Sequence, residues 1–97
     1  MIVRERQTEE GLLVAVCDSD VLGKTFEEGE VTLTVTEEFY DGEEVDGEGV
    51  VDALSRATVA NIVGTEAVGV AIDAGIIDEA NVLAVDSTLH AQLLRMY

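Results

Sequence analysis

The stretch Asp46–Gly75 constrains the fold more than any other part of the chain. On a helix turning about 100° per residue, Val50, Leu54, Ala57 and Thr58 fall on one side. Asp46 is a good N-cap because its carboxylate can accept the free amides of a first turn, and Val45 and Val50 are spaced as a hydrophobic staple. The spacing therefore predicts a first helix from about Gly47 to Ile62, closed by Gly64 as a left-handed cap. Thr65 and Glu66 suit the start of a second helix, Gly75 its end, and Ile76 is placed to fold back in a Schellman motif. This reading aims the amide of Asn61 at the core. A buried amide costs roughly 1–3 kcal/mol unless it is bonded, so Asn61 is expected to tie the two helices together or to meet a ligand.

The flanking segments read as strands. Ile2–Gln7 and Leu12–Cys17 are separated by the turn signal Thr8-Glu9-Glu10-Gly11, and the second is apolar on both alternating faces, as a covered central strand would be. Val21–Phe26 reads as a turn or a single helical turn, whereas Glu30–Val35 alternates with Val31, Leu33 and Val35 inward. Phe39 and Tyr40 sit in a short acidic connection. Val82–Val85 and Leu89–Met96 complete the set. Strands and helices are segregated, which argues for an α+β fold: a largely antiparallel sheet of four to five strands packed with a two-helix hairpin, residues 1–97 forming one compact domain.

Charge limits the partners less than it first suggests. The chain has 21 Asp and Glu against 5 Lys and Arg, a formal net charge of −16, and Lys24 is its only lysine. Self-repulsion of this size destabilises a compact state in dilute buffer, but at molar salt the Debye length falls to about 3 Å. Acids spread along the whole chain, scarce lysine and a core rich in Val and Ala fit a halophilic proteome better than a single acidic docking block. A salt-adapted coat does not exclude an RNA partner. The lone Cys17 rules out an internal disulfide and fits a reducing compartment. The longest fully apolar run, Leu12–Cys17, is far short of a signal peptide or a membrane span, so the expected location is the cytoplasm, with no membrane partner.

Motifs for chemistry are thin. Gly23-Lys24-Thr25 looks like the end of a phosphate loop, yet Asp18 stands where the first glycine of that loop belongs. Lys24 is therefore expected in a local salt bridge or against a phosphate or acidic partner. Cys17 and His90 are too few for a zinc site, and Asp86, Ser87 and His90 lie around one turn rather than converging from separate elements as a hydrolase triad does. No cofactor or metal site is expected, and the reading leans away from an enzyme. Arg56 is placed to pair with Asp52 one helical turn earlier. His90 and Gln92 share a strand face, and if that face neighbours Arg4 or Arg6 it would collect the chain's basic and amide donors in one place. Such a face could read single-stranded RNA. The positions worth testing are Asn61, Gly64, Lys24, His90, Gln92, Arg4 and Arg6.

The succession Ala15-Val16-Cys17-Asp18, Leu22-Gly23-Lys24, Phe39-Tyr40, Ala60-Asn61-Ile62-Val63-Gly64, Ala74-Gly75-Ile76-Ile77 and His90-Ala91-Gln92 resembles the small archaeal family labelled domain of unknown function 424. The resemblance covers essentially the whole chain and implies an archaeal protein, which the composition would make haloarchaeal. It implies no activity and supplies no site residues, and it tilts the reading toward translation or RNA metabolism. The leading expectation is a non-enzymatic accessory or binding protein contacting RNA or a ribonucleoprotein. The alternatives are a small-molecule or enzymatic site near Asn61, Lys24 and Gly64, and a protein-interaction module whose strand edge would pair two copies into a homodimer.

Overall fold

The computed structural model describes residues 1–95, so Met96, the last residue of the expected final strand, lies outside the described residues. The first hairpin forms as its turn signal requires: β1 (Ile2–Thr8) runs antiparallel to β2 (Gly11–Cys17). A separate two-stranded ribbon follows, β3 (Thr25–Glu28) with β4 (Val31–Thr34), and then a single helical turn, α1 (Glu37–Tyr40), whose Thr36 hydroxyl accepts from Phe39 N–H. The expected turn over residues 21–26 forms in its first part, where a single 3-10 turn at Ser19–Val21 leads into a turn at Leu22 and Gly23, but Thr25 already begins β3. Residues 37–40, read as a connection, are a helical turn, and both short elements take their order from packing rather than from their own periodicity.

The rest of the chain is β5 (Glu43–Glu44), α2 (Gly47–Arg56), β6 (Val59–Val63), α3 (Thr65–Asp73), β7 (Leu83–Val85) and β8 (Thr88–Leu94). Six strands make one sheet in the order β5-β1-β2-β6-β8-β7, in which every neighbouring pair is antiparallel except β2 and β6. The mixed α+β architecture and the largely antiparallel sheet are as expected. The sheet is wider than four to five strands, and the two helices do not form a hairpin, because β6 runs between them.

The correction falls on the segment that anchored the sequence reading. Asp46 caps α2 as expected, its Oδ1 accepting from Gly49 N–H at 3.0 Å. The helix nevertheless stops at Arg56, and Ala57 turns extended at φ −69°, ψ 141°. Its last carbonyls are taken by the Arg95 guanidinium, which donates to Leu54 O at 2.7 Å and Ala57 O at 2.8 Å. Beyond it, Val59-Ala60-Asn61-Ile62-Val63 enters the sheet between β2 and β8. Branched apolar residues that can be buried on both faces gain more as a central strand than as a continuation of the helix. The end of α3 is as predicted: Gly75 (φ +74°) donates to Ile72 O and Ile76 to Ala71 O, the paired bonds of a Schellman motif.

Both helices cover one face of the sheet, where Val50, Leu54, Val68 and Ala71 pack on Val14, Val16, Ala60 and Ile62. The other face is covered over only part of its length. Val21, Phe26, Val35 and Tyr40 from the ribbon, its flanking turns and α1 close over Ile2, Cys17, Val63 and Val85. Cys17 is fully buried there, and burial pushes its thiol up to about 11, so it is held as an unreactive core residue. Among the described residues, no helix is long and apolar enough to cross a membrane.

Candidate functional site

Strand register divides the seven singled-out residues between two places. Arg4 stands opposite Ala15, Ala15 opposite Asn61, and Asn61 opposite Gln92, so one row across β1, β2, β6 and β8 carries a guanidinium and two carboxamides. The next row holds Arg6, Leu13, Val59 and Leu94, and His90 stands opposite Val63 on the other side. All of these point to the partly covered face. Alternation along the same four strands puts no Asp or Glu on that face, since Glu5 of β1 points to the helix side. In a chain with 21 acids this is a strong local departure.

Asn61 is therefore not locked between helices. It is half-buried on β6, and its Oδ1 accepts from Gln92 Nε2 at 2.9 Å. Arg4 Nη1 donates to Asp41 O at 3.2 Å, and Arg6 donates to Glu38 O while lying 5.1 Å over the Phe39 ring. Backbone carbonyls hold both guanidinium groups without neutralising them, so their charge stays available to a ligand. Arg56 is different: it pairs with Asp52 as expected and also meets Glu5 through two 2.8 Å bonds. Leu94 is 68% exposed at the open end of the face.

His90 is half-buried, and desolvation holds its imidazole below the ordinary 6.5. The unfolded chain then takes up a proton that the folded one refuses. Stability is complete above the ordinary histidine value and is lost as pH falls below it, until the folded imidazole itself titrates. Thermal melts between about pH 7 and about pH 5 are expected to show a loss of stability in wild type that is smaller in His90→Gln.

The second place lies at the carboxyl ends of β2 and β6, the parallel pair. Asp18 directly follows β2 and is 6% exposed; its Oδ1 accepts from Ala67 N–H at 2.7 Å and its Oδ2 from Glu66 N–H at 3.1 Å. It thereby caps α3, whose own N-cap position is Gly64 and has no side chain to do so. The carboxylate sits against that glycine: a Cβ at position 64 would lie 2.2 Å from Asp18 Cγ, and Gly64 has φ +121°. Gly64 was expected to end a helix; its positive φ instead joins β6 to α3. Lys24 reaches the same region and forms no ion pair among the described residues. Together Asp18, Lys24, Thr65, Ser87 and Thr88, with Asp20 and the apolar Val21 and Phe26, line a cleft of about 150 Å³.

Asn61 does not line that cleft, so the expected grouping of Asn61 with Lys24 and Gly64 is split. Asp18 and Thr88 are the positions that sequence reasoning missed. Thr88 is 3% exposed and its Oγ1 has no hydrogen-bond partner among the described residues, a situation that costs roughly 1–3 kcal/mol. The available signal for Asp18 was its place after a fully apolar strand, facing a Gly-Thr-Glu helix start at Gly64.

A crystal structure of an uncharacterized conserved protein from Methanopyrus kandleri shares the fold, with a TM-score of 0.80 and 23% identity over 99% of this chain and 93% of that one. No curated protein matches the sequence. A family model described as a protein of unknown function (DUF424) matches residues 5–96. That match runs from within β1 to beyond the end of β8, and the chain belongs to the DUF424 family.

Proposed function

We propose that this is a non-enzymatic binding protein of archaeal translation or RNA metabolism, and that the open sheet face takes single-stranded RNA or the RNA of a ribonucleoprotein. The observation that carries the reading is the absence of acids from the face of β1, β2, β6 and β8 that bears Arg4, Arg6, Asn61, Gln92 and His90. Everywhere else a polyanion meets a chain of net charge −16. Here it meets two guanidinium groups to take phosphates, carboxamides to pair with base edges, and the apolar surface of Leu13, Val59 and Leu94. Stacking rings are few, since Phe39 lies under Arg6, so binding would rest on backbone charge and amide pairing rather than on base stacking.

The test is fluorescence anisotropy with a labelled single-stranded RNA over a range of salt. Wild type should bind with an affinity that falls as salt rises, and Arg4→Gln with Arg6→Gln should weaken binding about tenfold or more and flatten the salt slope by up to about two. Asn61→Leu should weaken it while leaving the slope unchanged, because it removes a neutral contact. No binding by wild type, or affinity indifferent to both arginines, would overturn the proposal.

A further inference from the structure

The cleft beside Asp18 shares β8 with the sheet face through Thr88, but none of Arg4, Arg6, Asn61 and Gln92 lines it, and its lining restricts what it could hold. At about 150 Å³ it has room for one small ring, not for a drug-sized ligand. An anion is disfavoured, because the positive end of α3 is already filled by the Asp18 carboxylate. A bare cation has no supporting shell, for no group of three potential ligands converges among the described residues.

What remains unsatisfied is neutral hydrogen bonding. Each Asp18 oxygen accepts one backbone N–H and retains acceptor capacity for another donor. Thr88 Oγ1 is buried and unpartnered at the wall of the same cleft. Lys24 offers donors at the rim, and the exposed Ser87 and Thr65 hydroxyls can give or accept. A group that both donates and accepts at two adjacent atoms answers all of these without burying a new charge.

We propose that this cleft binds the cis-diol of a ribose. One hydroxyl donates to Asp18 and accepts from Lys24, and its neighbour pairs with Thr88. The carboxyl ends of parallel strands beside a strand-to-helix turn are where open α/β sheets hold their ligands, and a carboxylate is a natural partner for a ribose hydroxyl. Two sources present this chemistry: a free nucleoside and the 3′ end of an RNA strand.

The experiment is a titration of the ¹⁵N-labelled full chain, followed by amide chemical shifts, with adenosine and with 2′,3′-dideoxyadenosine at millimolar concentration. Adenosine should move the amides of Asp18, Gly64, Thr65 and Thr88, and the dideoxy compound should do so at least about tenfold more weakly. Thr88→Val should cost about tenfold in adenosine affinity, and its spectrum reports whether the fold is kept. Lys24→Gln, at an exposed position, should cost a similar factor and serves if the valine variant does not fold. A short RNA with an ordinary 3′ end and one ending in a dideoxynucleotide separate the sources: diol-dependent shifts with RNA alone assign the strand end, and shifts with both assign any ribose. Arg4→Gln with Arg6→Gln should leave the adenosine shifts unchanged, so this inference and the sheet-face reading fail separately. No shift in this cleft with adenosine or RNA, equal shifts from the dideoxy ligands, or full affinity in a folded Thr88→Val protein would overturn it.

Discussion

Gly64→Ala is expected to destabilise the protein by at least about 3 kcal/mol, a large share of the roughly 5–15 kcal/mol that holds a domain together. Two costs add. The backbone at φ +121° lies in a region that L side chains rarely adopt, and the new methyl would lie 2.2 Å from Asp18 Cγ and 2.5 Å from both carboxylate oxygens. Relief by movement is blocked, because Asp18 is held by Glu66 and Ala67 amides and its own N–H donates to Val63 O at 3.0 Å. Urea unfolding followed by circular dichroism should show a midpoint shifted far down or no folded baseline at all. A variant that unfolds within about 1 kcal/mol of wild type would mean that the turn after β6 is freer than its geometry implies.

Asp18→Ala is expected to cost about 2–4 kcal/mol, because it leaves two amides at the start of α3 without their acceptor in a buried setting. Asp18→Asn keeps the shape but turns an NH₂ toward one of those amides, so it should recover only part of the loss. The informative measurement is the double variant. Truncating Asp18 removes the atoms that a methyl at position 64 would strike, so Asp18→Ala with Gly64→Ala should be less damaging than the sum of the two by about 1–3 kcal/mol. Additive losses would show that the two residues do not share one packing constraint.

What could be read from the chain followed the range of the interactions involved. The β1 and β2 hairpin, the Asp46 cap and the Schellman end of α3 are each specified within a few residues, and all three formed. The helix ending at Arg56 was overextended because Ala57, Thr58 and Asn61 happen to continue its apolar spacing. What ends it is Arg95, a donor reaching back from beyond β8. The pairing of Asp18 with Glu66 and Ala67 spans almost half the chain and leaves no periodic trace. The sheet face was legible only as a condition, that β8 lie beside β1; β2 and β6 stand between them, so Arg4 and Gln92 share one row three strands apart rather than touching. Asn61 was singled out for a wrong reason, as a misfit in a helix, and is found in the middle of that row.

The position of β6 has a consequence for how the molecule assembles. Residues 59–63 join residues 13–17 on one side and residues 90–94 on the other, so the centre of the sheet is the last part to find both of its neighbours. An early hairpin must wait, with one long edge unsealed, while the intervening segment is brought back across a wide loop, and such distant closures are slow. On the ribosome, the β2 edge would stay bare until residues 59–63 had emerged, and the far edge of β6 until residues 90–94 had followed, which makes the nascent chain the form most exposed to aggregation.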